Sequence, residues 1–246
     1  ALPDIDFGVV PLHIIVGEND YIDDDKIDLT AMQENLSSYK GKTSTSSPSP
    51  HEWENAFGDA DVVFCITITS SLSGTYNSAV IAKDIYEQNH TGRKVYVLDS
   101  LSTGPEIALF IEKIAELIKA GFAPDDIYKT LLEYKDKTHL YFSLASLNNF
   151  AKNGRISPVI AAGIGLLGVR VVGKASDEGT LLPLDKCRGE KRALKKLIDH
   201  LKECGYTDGK IIIAHNNNEA GALELKKLIE NTFGIFNGTI QKTRAL

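Results

Sequence analysis

The sequence predicts an α/β protein of two domains, an N-terminal parallel-sheet α/β/α domain and a C-terminal α+β domain. Over residues 1–137, strand-like apolar runs alternate with helix-like segments, which is the order typical of a parallel sheet covered by helices. From residue 138 onward the alternation stops and a hairpin pattern appears among helical segments. We therefore place the α/β domain at 1–137 and the α+β domain at 138–246.

In the first domain, hydrophobic periodicity predicts three strands and four helices. The strands are 8–16, 62–69 and 94–100, and the helices are 28–40, 75–88, 105–119 and 125–136. The segment 41–53 is rich in Ser, Thr and Pro, which predicts a surface loop. Ser49 or Pro50 is expected to open a further helix that carries Trp53 and Phe57.

In the second domain, two strands are expected within 169–187, on either side of an Asp-Glu-Gly turn. The other predicted elements are a short helix at 146–152, an apolar helical stretch at 157–168, a basic amphipathic helix at 189–203, a strand at 210–215 and a helix at 219–231. This mixture of a hairpin and helices is typical of an α+β domain.

Composition and charge exclude several classes of protein. The 246 residues carry a net charge of −6, which argues against nucleic-acid binding because nucleic-acid binders usually present a basic face. The three cysteines form no CxxC pair, and the six histidines are scattered without an HExxH pattern, so we expect no metal site. No run of 18 apolar residues is present, and no signal peptide is evident, so stable membrane insertion is not expected and a cytoplasmic location is.

A dense group of hydroxyl side chains follows the strand 62–69. Six of the seven residues from Thr69 to Thr75 are Ser, Thr or Gly, and a predicted helix begins directly afterwards. The first N–H groups of a helix lack internal partners, so Ser70, Ser73, Gly74 and Thr75 are suited to holding an anion. No lysine lies between Phe64 and Lys83, which favours a carboxylate over a phosphate. The alternative is that Ser73 or Thr75 simply caps the helix.

Five other features are candidates for a functional site. The glycines of GIGLLG at 163–168 match a dinucleotide pattern, but they follow a helix-like stretch and precede a strand, the reverse of what such a site needs. His13 lies in an apolar strand and is expected to be a satisfied core residue. Asp99 and His215 end predicted strands and are candidates for acid/base chemistry, although a loop anchor is the simpler role for Asp99. Arg155 follows Gly154, which suggests the C-terminus of a helix. A cation is favourable at such a position, so this role explains Arg155 as well as contact with a ligand or partner does.

Five motifs in order resemble the DegV family of bacterial fatty-acid-binding proteins, and the resemblance covers nearly the whole chain. They are TSSPSP at 45–50, SSLSGTYNSA at 70–79, VLDS at 97–100, NGRIS at 153–157 and PLDKCRGEKRAL at 183–194. The resemblance implies two domains with a long-chain fatty acid, such as palmitate, stearate or oleate, in the cleft between them. It also implies a carrier without a catalytic apparatus or cofactor, which presents the acyl group to a separate fatty-acid kinase.

Carried over to this chain, the resemblance places the carboxylate against hydroxyls of two loops. The first loop contributes Thr45 and Ser46, and the second contributes Ser70, Ser73 and Gly74. Arg155 matches an arginine near the ligand's head group. The chain departs from the family pattern at both ends, where the first strand and a C-terminal His-Gly-Pro-Gly motif are not found. Candidate residues lining an apolar tunnel for the alkyl chain are Ile81, Phe142, Ile160, Ile164, Leu166 and Leu167.

Two other functions stay open at this level. An enzyme acting on a small phosphorylated or carboxylated metabolite would use Asp99 and His215 as acid/base groups, beside a short polar pocket. A protein-interaction module would leave the hydroxyl-rich residues 69–75 exposed, with no cavity behind them. A fatty-acid carrier predicts a long apolar tunnel instead.

Overall fold

The structure, a computed structural model, describes residues 5–147, 150–151, 153–156 and 168–243. Contacts within the chain divide it into two compact units, the first reaching to Thr138 and the second beginning at His139. The predicted helical stretch at 157–168 lies, except for Gly168, outside the described residues, as does part of the predicted helix at 146–152. In the part of the chain that is described, no helix is both long and apolar enough to cross a bilayer.

The first unit contains two small sheets and a set of helices. Its strands are β1 (His13–Val16), β2 (Asn19–Ile22), β3 (Thr43–Ser46), β4 (Val62–Thr67) and β5 (Lys94–Asp99). Its helices are α1 (Leu29–Ser38), α2 (Pro50–Phe57), α3 (Thr75–Asn89), α4 (Pro105–Lys119) and α5 (Pro124–Lys135). As predicted, α2 starts at Pro50, with Ser49 as its N-cap.

The strands β4 and β5 pair in parallel, with helices on both faces. On one face Trp53 and Phe57 of α2 pack with Tyr86 of α3. On the other face Phe110 of α4 packs with Leu131 of α5. The α/β/α layering predicted from the alternation of elements is therefore found around this strand pair.

The beginning of the chain differs from the prediction. The expected strand 8–16 is shorter, covering only 13–16, and the expected loop 41–53 begins with the strand β3. Both belong to an antiparallel sheet in the order β2-β1-β3 rather than to a parallel one. Pro11 cannot donate to a ladder, which helps to explain the late start of β1. The strand β3 is the polar sequence TSTS, so it has no hydrophobic pattern from which it could be recognised.

The second unit contains an antiparallel sheet, a parallel strand pair and two long helices. Its strands are β6 (Tyr141–Leu144), β7 (Val169–Ala175), β8 (Leu181–Arg188), β9 (Ile211–His215) and β10 (Gly238–Lys242), and its helices are α6 (Glu190–Glu203) and α7 (Glu219–Phe233). The predicted hairpin is confirmed: β7 pairs with β8, and Ser176 N–H donates to Thr180 O across the turn. The strand β10, which pairs with β9, was not predicted.

Candidate functional site

The hydroxyl segment, residues 69–75, lies at the carboxyl end of β4 and is tied to the loop after β5. The backbone N–H of Thr69 donates to the carbonyl of Ser102 at 2.8 Å. The N–H of Ser70 donates to the carboxylate of Asp99, 3.1 Å from Oδ1. Because β4 and β5 are parallel, their following loops meet at one edge of the pair. The hydroxyl segment is therefore braced by the neighbouring loop.

Asp99 acts as an anchor for this loop junction. Besides the Ser70 N–H, its Oδ1 accepts the N–H of Leu101 at 3.1 Å. Leu101 has a positive φ of 52°, a backbone conformation that is unfavourable for a leucine. The carboxylate proposed as an acid/base group in the enzyme hypothesis thus has a structural role here.

The helix α3 begins at the hydroxyl segment without a side-chain cap. Gly74 occupies the N-cap position, and no side chain there accepts a capping hydrogen bond. The sequence alternative, in which Ser73 or Thr75 is the N-cap, is therefore wrong. Ser73 Oγ contacts Thr75 Oγ1 at 2.8 Å and lies 3.4 Å from the N–H of Thr75.

The next two N–H groups, those of Tyr76 and Asn77, make no hydrogen bond to any residue that the structure describes. The start of α3 consequently keeps backbone donors, and partial positive charge from the helix dipole, available for an anion.

A second hydroxyl-rich loop contacts the start of α3. Ser47 Oγ lies 3.3 Å from the position that a Cβ on Gly74 would occupy. The hydroxyl of Ser78, one turn into α3, donates to the carbonyl of Pro48. Two segments that are distant in sequence, 45–50 and 69–75, are thereby brought together at one helix N-terminus. Ser47 was not among the predicted site residues, and only its neighbourhood in the TSSPSP motif could have indicated it.

The predicted carboxylate-binding residues are partly accessible. Thr45, Ser46 and Ser70 are exposed, and Ser73 is half-buried. Ser46 Oγ donates to the carbonyl of Ser47 at 3.2 Å. Thr75, by contrast, is buried, so its hydroxyl supports Ser73 rather than facing solvent.

A capping box holds the Ser/Thr/Pro loop at the start of α2. Ser49 Oγ accepts the N–H of Glu52 at 3.3 Å, and Glu52 Oε2 accepts the N–H and the hydroxyl of Ser49 at 2.8 and 2.7 Å. These hydrogen bonds from Ser49 lower the pKa of Glu52. The other oxygen, Oε1, lies 3.3 Å from Nε2 of His13. His13 is half-buried between the carboxylates of Asp20 and Glu52, so it is satisfied as expected, but it is not a core residue.

Of the predicted alkyl-chain contacts, Ile81 and Phe142 are among the described residues. Ile81 is on α3 and is 51% exposed. Phe142 is on β6, where its ring would come within 2.5 Å of a Cβ on Gly173. Ile164 and Leu167, like Ile160 and Leu166, lie outside the described residues.

Arg155 and His215 both belong to the second unit and have local partners there. The guanidinium of Arg155 donates to the carbonyl of Asn153. Gly154 has a φ of 70°, as expected of a residue that ends a helix. Nδ1 of His215 accepts the N–H of Asn218, the N-cap of α7, at 3.3 Å. In the described ranges, no group of three or more His, Cys, Asp or Glu side chains is placed to hold a metal ion.

Comparison with known proteins identifies the family. The model of the DegV family, described as uncharacterised proteins, matches residues 2–243. The chain belongs to the DegV family. This confirms the resemblance carried by the five sequence motifs.

Relatives of known sequence and structure agree with this assignment. A DegV domain-containing protein from Streptococcus pneumoniae is 40% identical over 227 residues, which are 92% of this chain and 81% of the relative. A DegV family protein from Eubacterium eligens, solved loaded with heptadecanoic acid, is 39% identical with a TM-score of 0.96, covering 100% of this chain and 89% of that one. The Streptococcus pneumoniae fatty acid kinase B3 protein, solved loaded with linoleic acid, is 39% identical with a TM-score of 0.93, covering 96% and 84%. The α/β fold is confirmed by these likenesses.

Proposed function

We propose that this DegV protein binds one long-chain fatty acid and presents its carboxyl group to a fatty-acid kinase. The observation that carries the proposal is the meeting of two hydroxyl-rich segments, 45–50 and 69–75, at the uncapped N-terminus of α3. Two relatives at 39% identity were solved with a long-chain fatty acid, and one of them is named the fatty acid kinase B3 protein. Both findings support the same class of ligand.

The carboxylate is held by neutral donors in this proposal. Hydroxyls of Thr45, Ser46, Ser70 and Ser73 surround the head group, while Gly74 and Thr75 shape the start of the helix. The N–H groups of the first turn of α3 face an anion, and the helix dipole adds favourable electrostatics. Gly74 leaves Ser47 its place beside the helix start, which a side chain at position 74 would crowd.

The alkyl chain supplies most of the affinity. Burying about 14 methylenes at roughly 0.8 kcal/mol each gives on the order of 11 kcal/mol before the costs of association and ordering. Ile81, Phe142, Ile164 and Leu167 stay proposed as apolar contacts of the chain. The hydroxyl groups then set the orientation of the ligand rather than the bulk of its affinity.

The protein itself has no catalytic role in this proposal. Asp99 is engaged by the N–H groups of Ser70 and Leu101, and His215 by the N–H of Asn218. These contacts assign local structural roles to both candidate acid/base groups of the enzyme hypothesis. The kinase would contact Arg155, Arg188 at the end of β8 and Arg192 in the first turn of α6.

Native mass spectrometry of the purified protein, followed by solvent extraction, tests ligand binding. We expect an adduct of one fatty acid per chain, weakened or lost in Ser73→Ala and Thr45→Ala. Ser37→Ala is the matched control, because Ser37 is an exposed serine on α1 whose hydroxyl donates only to its own helix, at Glu34 O. A protein that carries no adduct and fails to bind added palmitate or oleate would favour the small-metabolite enzyme instead.

The partner is tested on the loaded protein. We expect the double variant Arg188→Glu, Arg192→Glu, at two exposed positions, to retain the fatty acid while losing salt-dependent binding to the kinase. Unchanged kinase binding would refute the assignment of this surface, without bearing on ligand binding.

A further inference from the structure

His13 is held between two carboxylates. Nδ1 lies 2.9 Å from Oδ2 of Asp20 on β2, and Nε2 lies 3.3 Å from Oε1 of Glu52 on α2. A carboxylate only accepts hydrogen bonds, so both ring nitrogens must donate. The neutral imidazole has a single N–H and satisfies one of the two contacts at most. The arrangement therefore suits the protonated imidazolium.

Glu52 connects His13 to the Ser/Thr/Pro loop. While Oε1 faces His13, Oε2 accepts both the N–H and the hydroxyl of Ser49. The orientation of the carboxylate is thus set from both sides, by His13 on one and by the capping box on the other. A carboxylate that faced a lone pair of neutral His13 would be repelled from this position.

The loop so held is the one that reaches the proposed carboxylate site. Ser46 stands opposite His13 in the β1–β3 pairing, and Ser49 is bonded to Glu52. Between them, Ser47 Oγ lies 3.3 Å from where a Cβ on Gly74 would be, and Pro48 accepts a hydrogen bond from Ser78 of α3. His13 therefore braces both ends of the segment 46–49, by its backbone at one end and through Glu52 at the other.

We propose that His13 is a positioning residue for the fatty-acid carboxylate site, and that loss of its proton loosens the segment 46–49 and weakens ligand binding. This inference rests on the proposed function. His13 does not touch the ligand, and it acts through Glu52 and Ser49.

The charges around His13 determine the direction of the pH dependence. The charged groups that face it are Asp20 from β2 and Glu52 from α2, whereas β3 opposes it with the uncharged Ser46. The hydrogen bond to Asp20 and the one to Glu52 raise the pKa of His13 above its ordinary value of 6.5. A group with a raised folded pKa contributes fully at low pH, and its contribution disappears as the pH rises through that folded pKa. Ligand affinity should therefore fall on going from pH 6 to pH 9.

The test is a titration of the full chain with cis-parinaric acid, a fluorescent long-chain fatty acid, between pH 6 and pH 9. We expect wild-type affinity to fall on the order of threefold over this range, as fits a partly exposed ion pair. His13→Gln is expected to bind with the weaker affinity throughout, and its affinity should change less with pH. Ionisation of the ligand affects all variants alike, so the difference between variants isolates His13.

His200→Gln is the matched control. His200 is likewise held between two carboxylates, Asp185 at 2.6 Å and Glu203 at 2.8 Å, but in the second unit. It should show the wild-type pH profile. A parallel profile for His13→Gln and wild type would overturn the positioning role, whereas failure of the wild type to bind at any pH would overturn the proposed function.

Glu52→Gln provides a second test of the proposal in case His13→Gln does not fold. A glutamine can complete the capping box with Ser49, but it carries no charge to hold an imidazolium. We expect a folded variant, judged by circular dichroism, with a flatter pH profile of ligand affinity than wild type. An unchanged profile would count against the proposal.

Discussion

Gly74 is the residue on which the two hydroxyl-rich segments converge. Its φ of −72° is available to any residue, so the glycine is not needed for its backbone conformation. What it provides is space, since a Cβ would lie 3.3 Å from Ser47 Oγ. A contact this short requires the neighbouring side chain to move.

Replacing Gly74 with alanine should therefore affect binding more than folding. We expect Gly74→Ala to weaken fatty-acid binding several-fold, because Ser47 is displaced and the head group loses its close approach to the helix. The free energy of unfolding should change by no more than about 1 kcal/mol, as alanine is only a poorer N-cap than glycine. Fluorescent fatty-acid titration and urea unfolding measure the two effects. Equal ligand affinity in the wild type and Gly74→Ala would contradict the proposed position of the carboxylate.

Among the elements, α2 links the antiparallel sheet to the proposed site. Its capping box holds the loop, and its buried residues Trp53 and Phe57 anchor it to α3. The loop is therefore attached to the core at its helical end, and to β1 at its strand end.

Removing the cap should destabilise this element. We expect Ser49→Ala to lower the free energy of unfolding by about 1 kcal/mol, since the N–H of Glu52 loses its acceptor. Asn55→Ala, an exposed position on the same helix, is the control and should not destabilise, because alanine favours a helix. Urea denaturation of the wild type and both variants is the measurement. Equal stability of Ser49→Ala and the wild type would show that the capping box contributes nothing.

For the whole molecule, acid should remove stabilising contacts from both units. The pKa of Glu52 in the first unit is lowered by hydrogen bonds from Ser49, and that of Asp185 in the second by its hydrogen bond from His200. A carboxyl group whose pKa is lower in the folded state than in the unfolded state stabilises the protein at pH values above its unfolded-state pKa. This stabilisation is lost as the pH falls through the folded-state pKa. The unfolded values are near 4.5 and 3.8.

The thermal midpoint should therefore fall as the pH drops below about 4.5. Asp185→Asn should make the thermal midpoint depend less steeply on pH, because the variant lacks the ionisable carboxyl group. Asp84→Asn, at an exposed position on α3, should leave this dependence unchanged. Thermal melts followed by circular dichroism over this range are the measurement. An identical slope for wild type and Asp185→Asn would be the contrary result.

The sequence by itself determined the features that depend on near neighbours along the chain. Helical periodicity located α3 to α7, and Ser49 and Pro50 marked the start of α2. The clustering of hydroxyls after β4 indicated an anion site, because a helix N-terminus is a local feature. Five short motifs in order were sufficient for the family.

Only the tertiary structure decided which distant groups meet. His13 contacts Glu52 across 39 positions of the chain, and Ser70 contacts Asp99 across 29. The polar strand β3 is recognised by its pairing with β1, so no pattern of its own could predict it. Such contacts arise when strands pair and layers pack, and the identity of a residue does not specify which remote partner packing will bring to it.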